Sequence, residues 1–189
     1  MKNYLKILIG LLILIVIICI PIVSGYNTLV TLEQKVSTAE SNIDTQLQRR
    51  SDLIPNLVNT VKGYANLESD IYTNIANARS KLAGASTIEE EAAADTELTN
   101  ALSRLLVVVE NYPELKSSSN FKDLTIELEG TENRITIARQ DYNDAVTEYN
   151  TKRRKFPSNI IASIFNFDEK PLYKANEGAD VAPSVDFSN

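Results

Sequence analysis

The chain of 189 residues has no histidine and no tryptophan, a single cysteine, and only 7% aromatic residues. Each scarcity excludes some chemistry. Without histidine there is no Ser-His-Asp or Cys-His arrangement, no zinc-protease helix motif and no Glu-x-x-His di-iron site in a bundle. One cysteine rules out an intramolecular disulfide and a cysteine-based metal centre. No Gly-x-x-x-x-Gly-Lys loop is present to cradle phosphates. Carboxylates abound, but acid–base work needs two of them facing one cleft with their pKa values driven apart. The expectation is no enzyme, no cofactor, no metal and no catalytic residue. Nineteen basic against 25 acidic residues, a net charge of −6, give no electrostatic footprint for nucleic acid.

Charge is also missing from Ile7 to Val23, "ILIGLLILIVIICIPIV". With Leu5 included, the run approaches the roughly 20 residues that cross about 30 Å of hydrocarbon. A cleavable signal peptide is the rival reading, because Val23-Ser24-Gly25 is a passable cleavage site. The apolar run exceeds the usual signal core, so an uncleaved single-pass anchor in contact with lipid over residues 5–23 is expected. Cys19 follows Ile18 rather than a small residue, which argues against lipid attachment there. Lys2 and Lys6 precede the span and Lys35 follows it, a slight bias toward a cytoplasmic N-terminus.

Strand signals are absent too. There is no Asn-Gly or Asp-Gly, and the one β-like run, "LLVVVE", lies inside a helical window. The pattern is helical throughout. Leu29, Leu32, Val36, Ala39 and Ile43 lie three and four apart, on one stripe. The spacing then slips by four, a stutter, into Leu47, Arg50, Ile54, Leu57, Val61, Tyr64, Glu68, Ile71, Ile75, Ala78 and Leu82. Just after the slip comes "QRRSDLIPNL", with a proline where a helix interior avoids one. Either one helix runs from Tyr26 to Leu82 and kinks at Pro55, or it ends near Arg50 and restarts with Ser51 or Asp52 as cap. A first-turn proline loses no hydrogen bond, and the split yields four segments of comparable length, so a turn is favoured.

"AGAS", 83–86, reads as a turn, and Thr87 with Glu90 as a capping box for the next helix. Leu98, Leu102, Leu105, Val109 and Tyr112 continue an apolar stripe that Pro113 ends, and "ELKSSSN" reads as loop. Asn120 is the expected cap of a last long helix. Its stripe is Phe121, Leu124, Leu128, Ile135, Ala138, Tyr142, Ala145 and Tyr149, with Thr131 as the polar intruder. A short apolar segment, 159–166, follows Phe156-Pro157, and from Asp168 the polar composition predicts a flexible tail. The fold class is therefore all-α: an anchor, then an antiparallel helical bundle, four long helices favoured over three with the first kinked at Pro55.

Several positions are candidates for a joint or a partner-facing surface: Arg49, Arg50, Asp52, Pro55, Asn56, Asn59, Gly63 and Glu68. Arg50 and Glu68 fall on the apolar stripe. Buried, each needs an opposite charge from another helix, for which Glu127, Glu129 or Arg134 come into question; otherwise both lie along the stripe's edge, the simpler reading. Asp52, Asn59 and Asn66 recur every seven residues on the opposite face, beside Arg49, Asn56, Lys62 and Gly63. That strip is either an ordinary wet face or a docking strip on which Gly63 lets another backbone approach. Lys152, Arg153, Arg154 and Lys155 suit a helix C-terminus. In an up-and-down bundle they also lie at the membrane surface, with "FPSNIIASIFNF" entering the interface.

The stretches "YNTLVTLEQKVSTAESNIDTQLQRRSDLIPNLVNTVKGYANLE", "YPELKSSSNFKDLTIELEGTENRITIARQDYN" and "KFPSNIIASIFNF" together resemble the LemA family. Even the ending "PSVDF" is similar to tails in that family. Leu67, where histidine is expected before glutamate, and Asn42, preceded by serine where tryptophan is frequent, depart from its pattern. The resemblance implies a bacterial single-pass membrane protein with a helical-bundle domain and no established enzymatic activity. It also implies a bundle in the cytoplasm, opposite to the lysine bias, and a membrane zinc metalloprotease as a partner. The predicted organisation is an anchor over 1–25, a LemA-like bundle over 26–167 and a tail over 168–189. Its bundle segments lie at about 26–50, 52–82, 87–112, 120–156 and 159–166. The expected role is a membrane-anchored scaffold or adaptor that binds a protein partner. The alternative is a membrane-tethered sensory module in which stutter and proline form a conformational joint.

Overall fold

The computed structural model describes residues 2–64 and 69–174. Every regular element among them is an α-helix: α1 (Lys2–Lys62), α2 (Ser69–Gly84), α3 (Ile88–Val109), α4 (Pro113–Ser117), α5 (Ser119–Arg154) and α6 (Ser158–Ile164). The all-α expectation holds. The expected turn at Ser51–Pro55 does not: α1 runs unbroken through both residues and ends only at Lys62. Pro55 lacks an N–H, so the Ser51 carbonyl has no helical donor four residues on. Continuous burial of the stripe on either side outweighs that one missing bond. Leu47, Arg50, Ile54, Leu57 and Val61 are all buried in the register that the stutter sets. The break comes instead at Gly63, whose N–H is shared between the Asn59 and Thr60 carbonyls, both at 3.2 Å. The long helix to Leu82 is thus divided as well, because α2 begins at Ser69.

At its N-terminal end α1 is apolar on all sides. Leu8, Leu11, Leu12, Ile15 and Ile20 are all exposed, and no other described helix is long and apolar enough to cross a membrane. An apolar surface of that extent on every side of one helix is the kind that associates with a membrane.

The chain forms two compact units, one of residues up to Ser41 with Gln140–Leu172, the other of Asn42–Arg139 with residue 173 onward. In the first, Leu29, Val36 and Ala39 of α1 and Tyr142, Ala145, Val146 and Tyr149 of α5 are buried. A buried tyrosine hydroxyl needs an acceptor. Tyr142 donates to the Pro171 carbonyl at 2.9 Å and Tyr149 to the Asp168 carbonyl at 2.8 Å. The Asn150 amide donates to the Lys170 carbonyl and accepts from its N–H, at 2.8 and 3.1 Å. The tail therefore does not become loose at Asp168: residues 168–172 are strapped along α5. The expected flexibility of residues 175–189 lies outside the described residues.

In the second unit α2 and α3 pair as a hairpin. Thr87 caps α3, its hydroxyl accepting from the Glu90 N–H at 3.2 Å, as the capping box predicts. The return arm is shifted by one residue, since the Glu90 carboxylate accepts from the N–H and hydroxyl of Ser86 at 2.8 and 3.0 Å. Ile54, Leu57 and Val61 of α1, Ile75 and Ala78 of α2, Leu98, Leu102, Leu105 and Val109 of α3, Leu115 and Phe121 form one core. Each large aliphatic side chain buried there contributes about 1.5–3 kcal/mol. Leu115 is drawn in by a single-turn helix, α4, with Pro113 at its start, so "ELKSSSN" is not wholly loop. The cap of α5 is also displaced from Asn120: the Ser118 hydroxyl accepts from the Phe121 N–H at 3.3 Å. Thr131, the intruder on the α5 stripe, is fully buried and donates back to the Glu127 carbonyl at 2.8 Å.

Candidate functional site

Ile88, Asp95, Leu102 and Val109 recur every seven residues on α3 and all four are buried, so an aspartate occupies a seam position. Arg50 occupies the equivalent kind of position on α1. Exposures of 5% for Arg50 and 2% for Asp95 leave neither charge access to water. Each compensates the other. Arg50 Nη1 donates to Asp95 Oδ1 at 2.7 Å and Nη2 donates to the Thr99 hydroxyl at 2.9 Å. Thr99 in turn donates to the Asp95 carbonyl at 2.9 Å, fixing its rotamer against the same helix.

The second carboxylate oxygen of Asp95 accepts from Arg139 Nη2 on α5. Glu132, about two turns before Arg139 on α5, brings its Oε2 to 2.8 Å from Arg50 Nη1. That approach is an ion pair without hydrogen-bond direction. Two guanidinium cations and two carboxylates thus balance. The Arg139 guanidinium lies over the Tyr173 ring, 4.6 Å from its centre, a cation–π contact. Burial pushes the Tyr173 phenol up to about 12, and the nearby Arg139 cation offsets only part of that effect. The cluster ties α1, α3, α5 and residue 173 together.

This arrangement corrects two expectations. Arg50 does not lie along the edge of the stripe, and its partners are Asp95, Thr99 and Glu132 rather than Glu127 or Glu129, which are exposed, as is Arg134. Sequence reasoning missed Asp95, although its register with Leu102 and Val109 carried the signal. Arg139 and Tyr173 had no comparable signal, because their pairing depends on how the chain returns after α6. The Glu68 candidate lies outside the described residues.

The other candidates on α1 divide cleanly. Arg49, Asp52, Asn56, Asn59 and Gly63 are exposed, three and four residues apart on one face. Asp52 accepts from the Gln48 amide at 2.8 Å. Pro55 is half-buried beside the strip, and the Ser51 hydroxyl accepts from Arg79 Nε at 3.2 Å. A methyl group added at Gly63 would make ordinary contacts with the Thr60 and Asn59 carbonyls, at 3.4 and 3.8 Å.

The basic run divides differently. Arg153 Nε donates to the Phe167 carbonyl at 2.7 Å, and Arg154 pairs with Glu169 at 2.5 Å. That hydrogen bond lowers the Glu169 pKa and raises that of Arg154. Lys152 is half-buried and Lys155 exposed. The run therefore fastens the tail before it can offer charge to anything else.

Among the described residues no group of three or more His, Cys, Asp or Glu side chains is placed to hold a metal ion. The carboxylate of Asp95 is engaged by two arginines, an arrangement that locks helices together. An open groove between α2 and α3, lined by Asn74, Asn77, Asn100 and Arg104, has the Lys81–Glu97 pair beside it at 2.5 Å.

A sequence-family model described as the LemA family matches residues 39–187. The chain is 30% identical over 181 residues to Magnetosome protein MamQ 2 of Paramagnetospirillum magneticum, covering 82% of this chain and 66% of that protein. It is 27% identical to Magnetosome protein MamQ of Magnetospirillum gryphiswaldense, with the same coverage. To Protein LemA of Metamycoplasma hominis it is 25% identical over 155 residues, covering 80% of this chain and 69% of that one. The chain thus spans slightly less than two thirds of the length of the MamQ proteins. The helices and the apolar N-terminal stretch are those of a membrane-associated helical protein, and the matched region, which begins after the apolar stretch, takes in both the Arg50–Asp95 cluster and the α1 strip. The chain belongs to the LemA family.

Proposed function

We propose that this protein is a single-pass, membrane-anchored scaffold that holds a protein partner on the exposed polar face of α1 and catalyses no reaction itself. The observation that carries this reading is the strip Arg49, Asp52, Asn56, Asn59 and Gly63, exposed along one side of a helix whose other side is clamped by Arg50. A rigid helix presenting amides at fixed spacing loses little conformational freedom when a partner docks. The names of the relatives specify no reaction, which fits a structural role. A membrane zinc metalloprotease is the partner that the family resemblance suggests. Purification from membranes in mild detergent tests the proposal. A second protein is expected to co-purify at fixed stoichiometry and to be lost from the variant Arg49→Glu, Asn56→Lys. A chain that purifies alone, or a complex indifferent to those substitutions, contradicts it.

A sensory module remains the second reading, and Pro55 is what favours it. The Ser51 carbonyl without a helical donor is a point where α1 bends at low energetic cost. Against it stands the cluster one residue away, which holds Arg50 to two other helices.

A further inference from the structure

Four large apolar side chains at the end of the folded chain face water. Phe156 is 81% exposed, Ile160 50%, Ile164 65% and Phe165 48%. Ile160 and Ile164 are one turn apart on α6 and so share a face. The opposite face is used up, since Ser158, Ile161 and Ala162 are buried. The turn that follows is a closed Schellman-type end: Asn166 takes φ 55°, and the Phe167 N–H bonds the Ala162 carbonyl at 3.0 Å. The patch is thus held in place rather than frayed.

Its position is set by two contacts to α1. A methyl group at Gly25 would lie 2.4 Å from Ile161 Cδ1, so α6 rests directly on the helix backbone there. Tyr26 meets the rings of Phe165 and Phe167 edge-on, at 4.9 and 5.6 Å. Gly25 and Tyr26 come two and three residues after Val23, the last residue of the uncharged run, a rise of only about 3–5 Å along α1. The exposed apolar face of α6 is therefore at the level where α1 leaves its apolar stretch.

We propose that α6 is a membrane foot, whose Phe156, Ile160, Ile164 and Phe165 side chains sit in the interfacial zone of the bilayer that holds α1. The occupant is lipid because the patch continues the apolar surface of the anchor, and aromatic and aliphatic side chains favour that depth. The charges around it agree. Exposed Lys155 suits anionic headgroups; of the two acids that follow α6, Glu169 is neutralised by Arg154 and Asp168 is exposed. The foot rests on the reading that residues 7–23 are inserted, and it adds a second membrane contact that fixes the tilt and rotation of the helices above it. Apolar side chains carry it, and the basic run plays a supporting part.

Spin labels on the full chain in phosphatidylcholine–phosphatidylglycerol vesicles test the foot. A label on the native Cys19 reports the anchor. In a Cys19→Ser background, Ile160→Cys, Ile164→Cys and Phe156→Cys, at three exposed sites, each report the foot. Ser37→Cys, about 21 Å beyond Val23 along α1, reports the water side. Collision with oxygen is compared with collision with a water-soluble nickel chelate. Foot labels are expected to favour oxygen severalfold over the Ser37 label, at a shallower depth than Cys19. If Cys19 is in lipid while the foot labels match Ser37, the foot is refuted and the anchor stands. If Cys19 itself favours the chelate, the anchor fails and the foot with it.

Discussion

Arg50 on α1 and Asp95 on α3 form an ion pair at 2.7 Å with side-chain exposures of 6% and 3%. Asp95 accepts from Arg139 as well, so it is the shared member of the cluster. Its loss leaves two arginines short of an acceptor, one of them buried. Asp95→Ala is expected to destabilise the fold by about 3–5 kcal/mol, the range for breaking a buried pair. Arg50→Met, which leaves Asp95 its Arg139 partner, is expected to cost about 2 kcal/mol. Denaturant titration followed by helical circular dichroism reads the order. Equal effects would contradict a network centred on Asp95.

Pro55 offers a test of the continuous helix. If the chain turned at Ser51–Pro55, proline would be at home there, and replacing it would gain nothing. In the interior of α1, Pro55→Ala returns a donor to the Ser51 carbonyl and is expected to stabilise the protein by roughly 1–3 kcal/mol. A neutral or destabilising result in the same titration would contradict a continuous helix through Ser51–Pro55.

The seam was legible in the sequence wherever apolar spacing alone decides burial. Most of the stripe from Leu29 to Val61 on α1 and from Phe121 to Tyr149 on α5 is buried as predicted, including the slip between Ile43 and Leu47, while Leu32, Leu124 and Leu128 are half-buried. Ser51–Pro55 misled because local turn chemistry and a helix-breaking residue pointed one way, while packing on both sides of the stripe pointed the other. The inward turn of Arg50 was not decidable from its own helix, since the partners that make burial tolerable, Asp95 first among them, lie 45 or more residues on. The strap over α5 was hidden for a similar reason: Tyr142 and Tyr149 were visible as core, but their hydroxyls require acceptors that only the tail supplies.

Tyr173 gives the cluster an alkaline limit. Its phenol is raised by burial to about 12, above the usual 10. Between those values the unfolded chain gives up the proton while the folded chain retains it. Stability is therefore complete below pH 10 and falls as pH rises from 10 through about 12. Ultraviolet titration of tyrosinate is expected to show a late-ionising component that Tyr173→Phe removes. If Tyr173→Phe instead removes a component near 10, the ring does not lie buried beneath Arg139.

The seat of α6 on α1 is tested by size. Gly25→Ala places a methyl group within 2.4 Å of Ile161 Cδ1, and overpacking of this kind costs about 1–3 kcal/mol. Ile161→Val removes that terminal carbon and alone costs about 0.5–1.5 kcal/mol. The double variant is expected to be more stable than the sum of the two single effects allows, a positive coupling read by thermal unfolding. Strict additivity would mean that the two residues do not touch.

The central claim is that the polar strip of α1 is where a protein partner sits. Photo-crosslinking in native membranes tests it most directly, with a photoreactive residue placed at Asn56 or Asn59 and, for comparison, at the exposed Glu127 of α5. The account predicts one discrete adduct of the same mass from Asn56 and Asn59, none from Glu127, and loss of that adduct in an Arg49→Glu background. No adduct from the strip, or the same adducts from Glu127, would contradict it.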